Sequence, residues 1–379
     1  MKRVKRPGTA AGPMAAGLMA AGPMAAGPMA AALLASAGWL VATGGQAAAV
    51  AAAAPEPPLV VSAADWSGKG QASTATCPEG TSLVGGGYDS LPYANGFGNP
   101  LDFVDTNTPA KNEPNTWVVK LHSGRASAYA LCSRQSATPP VVVASSDWSG
   151  KGQASTATCP EGTSLVGGGY DSLPYANGAG NPVDSVDTSA PAKNEPNAWV
   201  TRLHSGKASS YALCDPASAT VPAVVTSDGW SADKGLSRAT CPEGTSLIGG
   251  GYDSLPYANG FGNPLDSLDA FAPAADQPNT WVARMHRGKV SAYALCSPSS
   301  AVAPTVVASG WSAKKETAKA TCPEGTVLAG SGYDSQPYAN GFNEPLDFMD
   351  TFAPTRDEPN TWSVRMHSGQ SASYVMCTA

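Results

Sequence analysis

The run Cys77-Pro78-Glu79-Gly80-Thr81-Ser82-Leu83-Val84-Gly85-Gly86-Gly87-Tyr88-Asp89 returns from Cys159, from Cys241 and, altered, from Cys322. The spacing is regular: 159 − 77 and 241 − 159 are both 82, and 322 − 241 is 81. A period of this length sets the architecture before any local reading does. It divides the chain into a leader, 1–54, and four units, 55–137, 138–219, 220–301 and 302–379. Units of this size sit at the lower end of what folds alone and usually need a staple.

The cysteines supply it. All eight lie in the units, paired as Cys77/Cys132, Cys159/Cys214, Cys241/Cys296 and Cys322/Cys377, each 55 residues apart. An even count at fixed offsets in an exported chain reads as a disulfide framework. Zinc sites draw closely paired ligands such as Cys-x2-Cys, which this chain lacks. Closing a loop of this length contributes about 4 kcal/mol on the chain-entropy model.

Export is itself an expectation from the leader. Lys2, Arg3, Lys5 and Arg6 precede an apolar stretch from Ala30 to Val41, and small residues Gln46-Ala47-Ala48-Ala49 follow. Those are the three parts of a secretory signal peptide, with cleavage expected near Ala49 or Ala54. The apolar run falls short of the roughly 18 residues of a membrane span. Removing the four basic residues from 23 leaves 19 Lys+Arg against 29 Asp+Glu, a mature net charge of −10. Such a chain is expected to repel phosphate backbones, so nucleic acid is not an expected partner.

Within each unit the pattern is that of strands. Leu59-Val60-Val61 opens the first unit. A Ser/Thr/Ala strand ends at Cys77, Pro-Glu-Gly turns, and Thr81 to Tyr88 runs back, which reads as a hairpin. Asp89 to Asn115, rich in Pro, Gly, Asn and Asp, reads as one long loop. In the next strand Trp117, Val119 and Leu121 share one face, and Val118, Lys120 and His122 the other, since side chains alternate. Ala126 to Cys132 closes the unit. The expectation is an all-β chain of four units of about five antiparallel strands, each stapled by one disulfide. A row of small domains is preferred, because the units are in phase with the chain ends; a four-bladed propeller-like closure is the alternative.

Cys77-Pro78-x-Gly80, the triplet Gly85 to Gly87, Pro114-Asn115-x-Trp117 and Ala128-Tyr129-Ala130-x-Cys132 together resemble a domain of secreted actinobacterial proteins, a family without an established activity. The resemblance covers all four units and implies fold and secretion, with nothing on chemistry. The fourth unit departs from it at Ser331 and Gln336.

Three groupings of polar and aromatic residues invite a chemical reading. The four histidines, His122, His204, His286 and His367, could form a triad with Ser123 and Asp102 or Asp105. Turn chemistry explains the serine, however, and four copies suit a binding module better than a hydrolase. No catalytic residue is therefore assigned. Asp102 and Asp105, with equivalents at Asp184/Asp187, Asp266/Asp269 and Asp347/Asp350, are the only candidate calcium ligands, although they lack the alternating acids of calcium loops. No other cofactor is implied. The third grouping holds the candidate ligand-binding residues: Asp89, Tyr93, Asn95 and Phe97; Asp171, Tyr175 and Asn177; Asp253, Tyr257, Asn259 and Phe261; Asp334, Tyr338, Asn340 and Phe342. Aromatic faces pack on sugar C–H groups, while amides and carboxylates bind hydroxyls. The position of Phe97 is Ala179 in the second unit, so an exposed side chain is expected there. The function expected is secreted, non-enzymatic, multivalent binding of an extracellular glycan or cell-wall polymer. The alternative is a structural or protein-interaction role in the cell envelope.

Overall fold

The computed structural model describes residues 55–379, so the leader reading lies outside the described residues. Unit one contains β1 (Leu59–Ser62), β2 (Ala72–Thr76), β3 (Ser82–Leu91), β4 (Val104–Pro109), β5 (Thr116–Leu121) and β6 (Arg125–Ser133), and the other units repeat this order. The fold is all-β, with six strands per unit where five were expected. The additional strand is β4, which lies inside the stretch read as loop.

Each unit is a small sandwich of two three-stranded sheets, β1-β6-β3 and β2-β5-β4. The alternation read in β5 holds, since Trp117, Val119 and Leu121 are buried against Ala75, Leu83 and Ala128. The expected hairpin does not form. β2 pairs with β5 and β3 pairs with β6, so the Pro-Glu-Gly turn carries the chain from one sheet to the other. Asn115 holds that crossing in place: its side-chain oxygen accepts from Leu83 N at 3.0 Å, its amide donates to Thr81 O at 2.7 Å, and its own φ is 61°. All four disulfides lie within units, joining Cys77–Cys132, Cys159–Cys214, Cys241–Cys296 and Cys322–Cys377. The glycine triplet marks both a bulge, between Leu83 and Gly85, and a close approach. A Cβ on Gly86 would lie 2.3 Å from the Trp117 ring. Unit four carries Ser331 at that place and keeps the same strand pairing.

The preferred row of domains is not what forms. β4 pairs with the third strand of unit two (Ser164–Leu173), placing Thr106 opposite Asp171 and Asn107 opposite Tyr170. The same joint recurs at Ser189–Tyr252 and Phe271–Tyr333, and then at Phe352–Tyr88, which returns the fourth unit to the first. Four copies of one head-to-tail contact that come back to their start make a closed cyclic arrangement. The result is four six-stranded antiparallel sheets in a ring resembling a four-bladed propeller, three strands of each sheet coming from each of two units. Each sandwich lies within one unit, whereas each sheet straddles a unit boundary, so units in phase with the chain ends are compatible with a ring. Closure pairs both edges that an open row would leave as templates for aggregation.

Tyr88, Tyr170, Tyr252 and Tyr333 are drawn together where the units meet. Burial pushes each hydroxyl above the ordinary tyrosine range; neighbouring phenols add to the effect at Tyr88, Tyr252 and Tyr333, and Asp105 and Asp171 add to it at Tyr170. Tyr252 Oη donates to Val186 O at 3.0 Å and Tyr333 Oη to Leu268 O at 3.1 Å.

Candidate interaction face

Because the ring is cyclic, equivalent residues lie at the same level, and the body has two distinct ends. One end, the linker face, holds the start of β3, the Pro-Glu-Gly turns and the links between units. It contains an open depression of about 510 Å³ with Val84, Val166, Ile248 and Ala329 among its lining residues. The other, the loop face, holds residues 92–103, the turn after β5 and the tip of 63–71, where Gly70 N donates to Gly124 O at 2.8 Å.

The 92–103 loop is rigidly tied. Asn95 Oδ1 accepts from Phe97 N at 2.9 Å and from Asn99 N at 3.0 Å, while Leu101 N donates to Tyr93 O at 2.8 Å. Asp102 pins the base, accepting from Tyr93 N at 2.8 Å and from Phe103 N and Ser123 N at 2.9 Å. These bonds leave the aromatic side chains outside. Phe97 is 94% exposed, Phe261 93% and Phe342 80%. Tyr93, Tyr175, Tyr257 and Tyr338 are also exposed, as are Trp148, Trp230 and Trp311 on the loops that climb toward this end. All ten exposed aromatic side chains among the described residues therefore belong to the loop-face segments.

The candidate ligand residues thus separate. Tyr93, Phe97 and their equivalents face solvent. Asn95, Asn177, Asn259 and Asn340 use their carbonyl oxygens to cap their own loops. Asp89, Asp171, Asp253 and Asp334 sit at the joints instead. Asp89 Oδ1 accepts from Thr351 Oγ1 at 2.7 Å and from Arg365 at 3.3 Å. Asp171 accepts from Thr106 at 2.7 Å, Asp253 from Thr188 at 2.6 Å and Arg202 at 3.0 Å, and Asp334 from Arg284 at 2.6 Å. These bonds engage Oδ1 of each carboxylate in the joint between units. Sequence spacing does not show this role, because the partners lie on the β4 and β5 equivalents of the preceding unit.

The calcium reading meets the same obstacle. Both oxygens of Asp102 accept backbone N–H groups, as do those of Asp184, Asp266 and Asp347. Asp105 is 3% exposed and bonds Lys120 at 3.3 Å and His122 Nδ1 at 3.2 Å. No group of three or more His, Cys, Asp or Glu side chains among the described residues is arranged to hold a metal. These carboxylates do not fit calcium.

The histidines are half-buried members of ionic clusters. His204, His286 and His367 bond Asp187, Asp269 and Asp350 through Nδ1 at 3.0–3.2 Å. Among the described residues no serine hydroxyl bonds an imidazole. Burial outweighs these cations and raises Asp105 and Asp187, and it holds Asp350 at about 6 despite His367 and Arg365. The hydrogen bond that its Nδ1 donates to Asp269 raises His286.

Exposed charge is unevenly spread between the two ends: cations outnumber acids on the loop face, where Asp65, Asp147, Asp228, Asp233 and Glu316 are also exposed, and acids outnumber cations on the linker face, where Lys111, Arg134, Lys193 and Arg356 are also exposed. Lys69 and Arg125, Lys151 and Lys207, Lys234 and Lys289, and Lys314 and Lys315 stand exposed on the loop face. Only Lys289 among them forms an ion pair with a described residue, with Asp233 at 3.9 Å. Arg287 lies over the Tyr257 ring, 3.6 Å from its centroid. On the linker face each Pro-Glu-Gly turn exposes a carboxylate, Glu79, Glu161, Glu243 or Glu324, and Glu113, Glu195, Asp276, Asp357 and Glu358 follow in the loops before β5 and its equivalents.

No protein-family model matches the chain, and no curated protein matches it either.

Proposed function

We propose that this is a secreted, non-enzymatic binding protein that attaches multivalently to an extracellular glycan or cell-wall polymer through its loop face. The observation that carries this reading is the gathering of every exposed aromatic side chain among the described residues at one end of a closed ring, on loops tied by their own backbone. Rigid aromatic side chains give contact area with little entropy to lose on binding. Four sites held in one body turn weak contacts into strong attachment, because each later contact is intramolecular. The four disulfides belong with an oxidising compartment, and the leader with export.

The test is sedimentation of the full ring with insoluble polysaccharide or cell-wall material. Replacing Tyr93, Tyr175, Tyr257 and Tyr338 together by Ala should abolish retention while thermal unfolding stays nearly unchanged. Retention that survives the fourfold change would remove the loop face from the reading. Failure of the unaltered protein to sediment with any polymer would leave a structural or protein-interaction role in the envelope.

A further inference from the structure

We infer that the polymer engaged by the loop face is an acidic polysaccharide, an inference that rests on the attachment reading above. A mature net charge of −10 argues against an anionic partner only if the charge is evenly spread, and it is not. The linker face carries the glutamates of the Pro-Glu-Gly turns, whereas on the loop face two exposed cations per unit outnumber the exposed acids Asp65, Asp147, Asp228, Asp233 and Glu316. β3 spans ten residues between the two ends, which at ~3.3 Å per residue separates them by roughly 33 Å. The Debye length at 0.1 M salt is ~10 Å. An anion approaching the loop face is therefore screened from the opposite end and meets the local cations.

Cations and aromatics alternate there. Lys69 and Arg125 flank the turn beside the Tyr93 loop, and Lys151 and Lys207 do the same in unit two. In unit three the two groups merge, with Arg287 stacked on Tyr257. A sugar ring lying on Tyr93 or Tyr257 would bring a carboxylate or phosphate substituent within reach of these side chains. A neutral glycan would use the rings and leave the cations idle. Every unit keeps its pair although the residues change, from Lys69 with Arg125 to Lys314 with Lys315. Unit two, with Ala179 in place of Phe97, retains both of its lysines.

The experiment compares retention of the full chain on polygalacturonate gel and on an insoluble neutral glucan, from 50 to 300 mM salt. Acidic gel should hold the protein at least tenfold more tightly, and that margin should collapse as salt rises. Replacing Lys69, Lys151, Lys207, Lys234 and Lys315 together by Gln should cost at least tenfold on the acidic gel and little on the glucan. As a control, Glu79→Gln, Glu161→Gln, Glu243→Gln and Glu324→Gln together change net charge by nearly as much at the other end and should leave retention within twofold. Equal, salt-insensitive retention on both polymers would overturn the anion preference and leave polymer attachment standing. If neither polymer held the protein, the attachment reading itself would fall. Tighter binding to phosphatidylserine vesicles or to oligo(dT) than to the gel would also overturn the inference, in favour of a membrane or a nucleic acid.

Discussion

The ring makes the same joint in two ways. Where unit one meets unit two, and unit two meets unit three, the residue facing the central tyrosine is polar, Asn107 or Ser189. At the other two joints it is Phe271 or Phe352, which meets its tryptophan edge-on at 4.9 or 5.0 Å; Phe271 also packs on Tyr252 and Tyr333, and Phe352 on Tyr333. Backbone pairing is in the same register at all four. At one polar joint Asn107 accepts from Trp117 Nε1 at 2.9 Å, whereas the Thr188 and Arg202 grip on Asp253 is shared with the Phe352 joint, where Thr351 and Arg365 hold Asp89. Register therefore belongs to the strands and the flanking aspartate, and the central side chain decides only how firmly each joint is filled.

The most severe way to test this is to remove the joints. Residues 138–219 alone would expose two unpaired strand edges, so the isolated unit should self-associate rather than persist as a soluble folded monomer. Light scattering on the excised unit checks it, and a monodisperse, folded monomer would show the joints to be dispensable.

At the level of single side chains, Phe352→Ala or Phe271→Ala should destabilise the ring by about 3 kcal/mol, the low end of the range for a large aromatic because neither is fully buried. Ser189→Ala, at the same place in a polar joint, should stay within about 0.5 kcal/mol. Denaturant unfolding of the two sets would erase the contrast if their midpoints shifted equally.

Asn107→Ala should cost about 1 kcal/mol, the net worth of a hydrogen bond. Trp199, Trp281 and Trp362 already lack a partner for the same indole nitrogen among the described residues. A loss of several kcal/mol would mean that Asn107 holds register after all.

The smallest expected effect is that of pH. Burial holds Asp350 at about 6, above its ordinary value, so the folded ring binds this proton more tightly than the unfolded chain does. That contribution is complete below about pH 4 and is lost as pH rises through about 6. His286 is also raised, and what it contributes below its ordinary value is lost as pH climbs through the raised one. Melting temperature should therefore be higher near pH 5.5 than near pH 7.5, and Asp350→Asn should flatten the difference. A melting temperature that rose over that interval in the unaltered protein would contradict the assignment.

Strand content, the disulfide pairing and the two faces of β5 were legible because each leaves a local signature: a period, an offset or an alternation. β4 was hidden for a physical reason. Val104-Asp105-Thr106-Asn107-Thr108-Pro109 lies between β5 of its own unit and the third strand of the next, and its polar side chains are bonded there, so nothing in its own composition announces a strand. Missing it concealed the joint, the ring and the duty of Asp89. The exposure of Phe97 could be read from Ala179 because tolerance of both residues within one chain reports on surroundings without needing coordinates. The uneven spread of charge between the ends could not be read, since Lys69 and Glu79 are ten residues apart in sequence and at opposite ends of the fold.

The joint also fixes a number. Four equal steps that close must each turn the chain by about 90°, and that turn is set by how β4 lies against the next unit's third strand. The count of four is therefore a property of an angle between strands, not of chain length. A chain with one unit deleted or one added, keeping this joint, would arrive out of line with its own beginning and carry two unpaired edges. Units could still diverge one at a time, as the second and fourth have, but they could not be gained or lost singly.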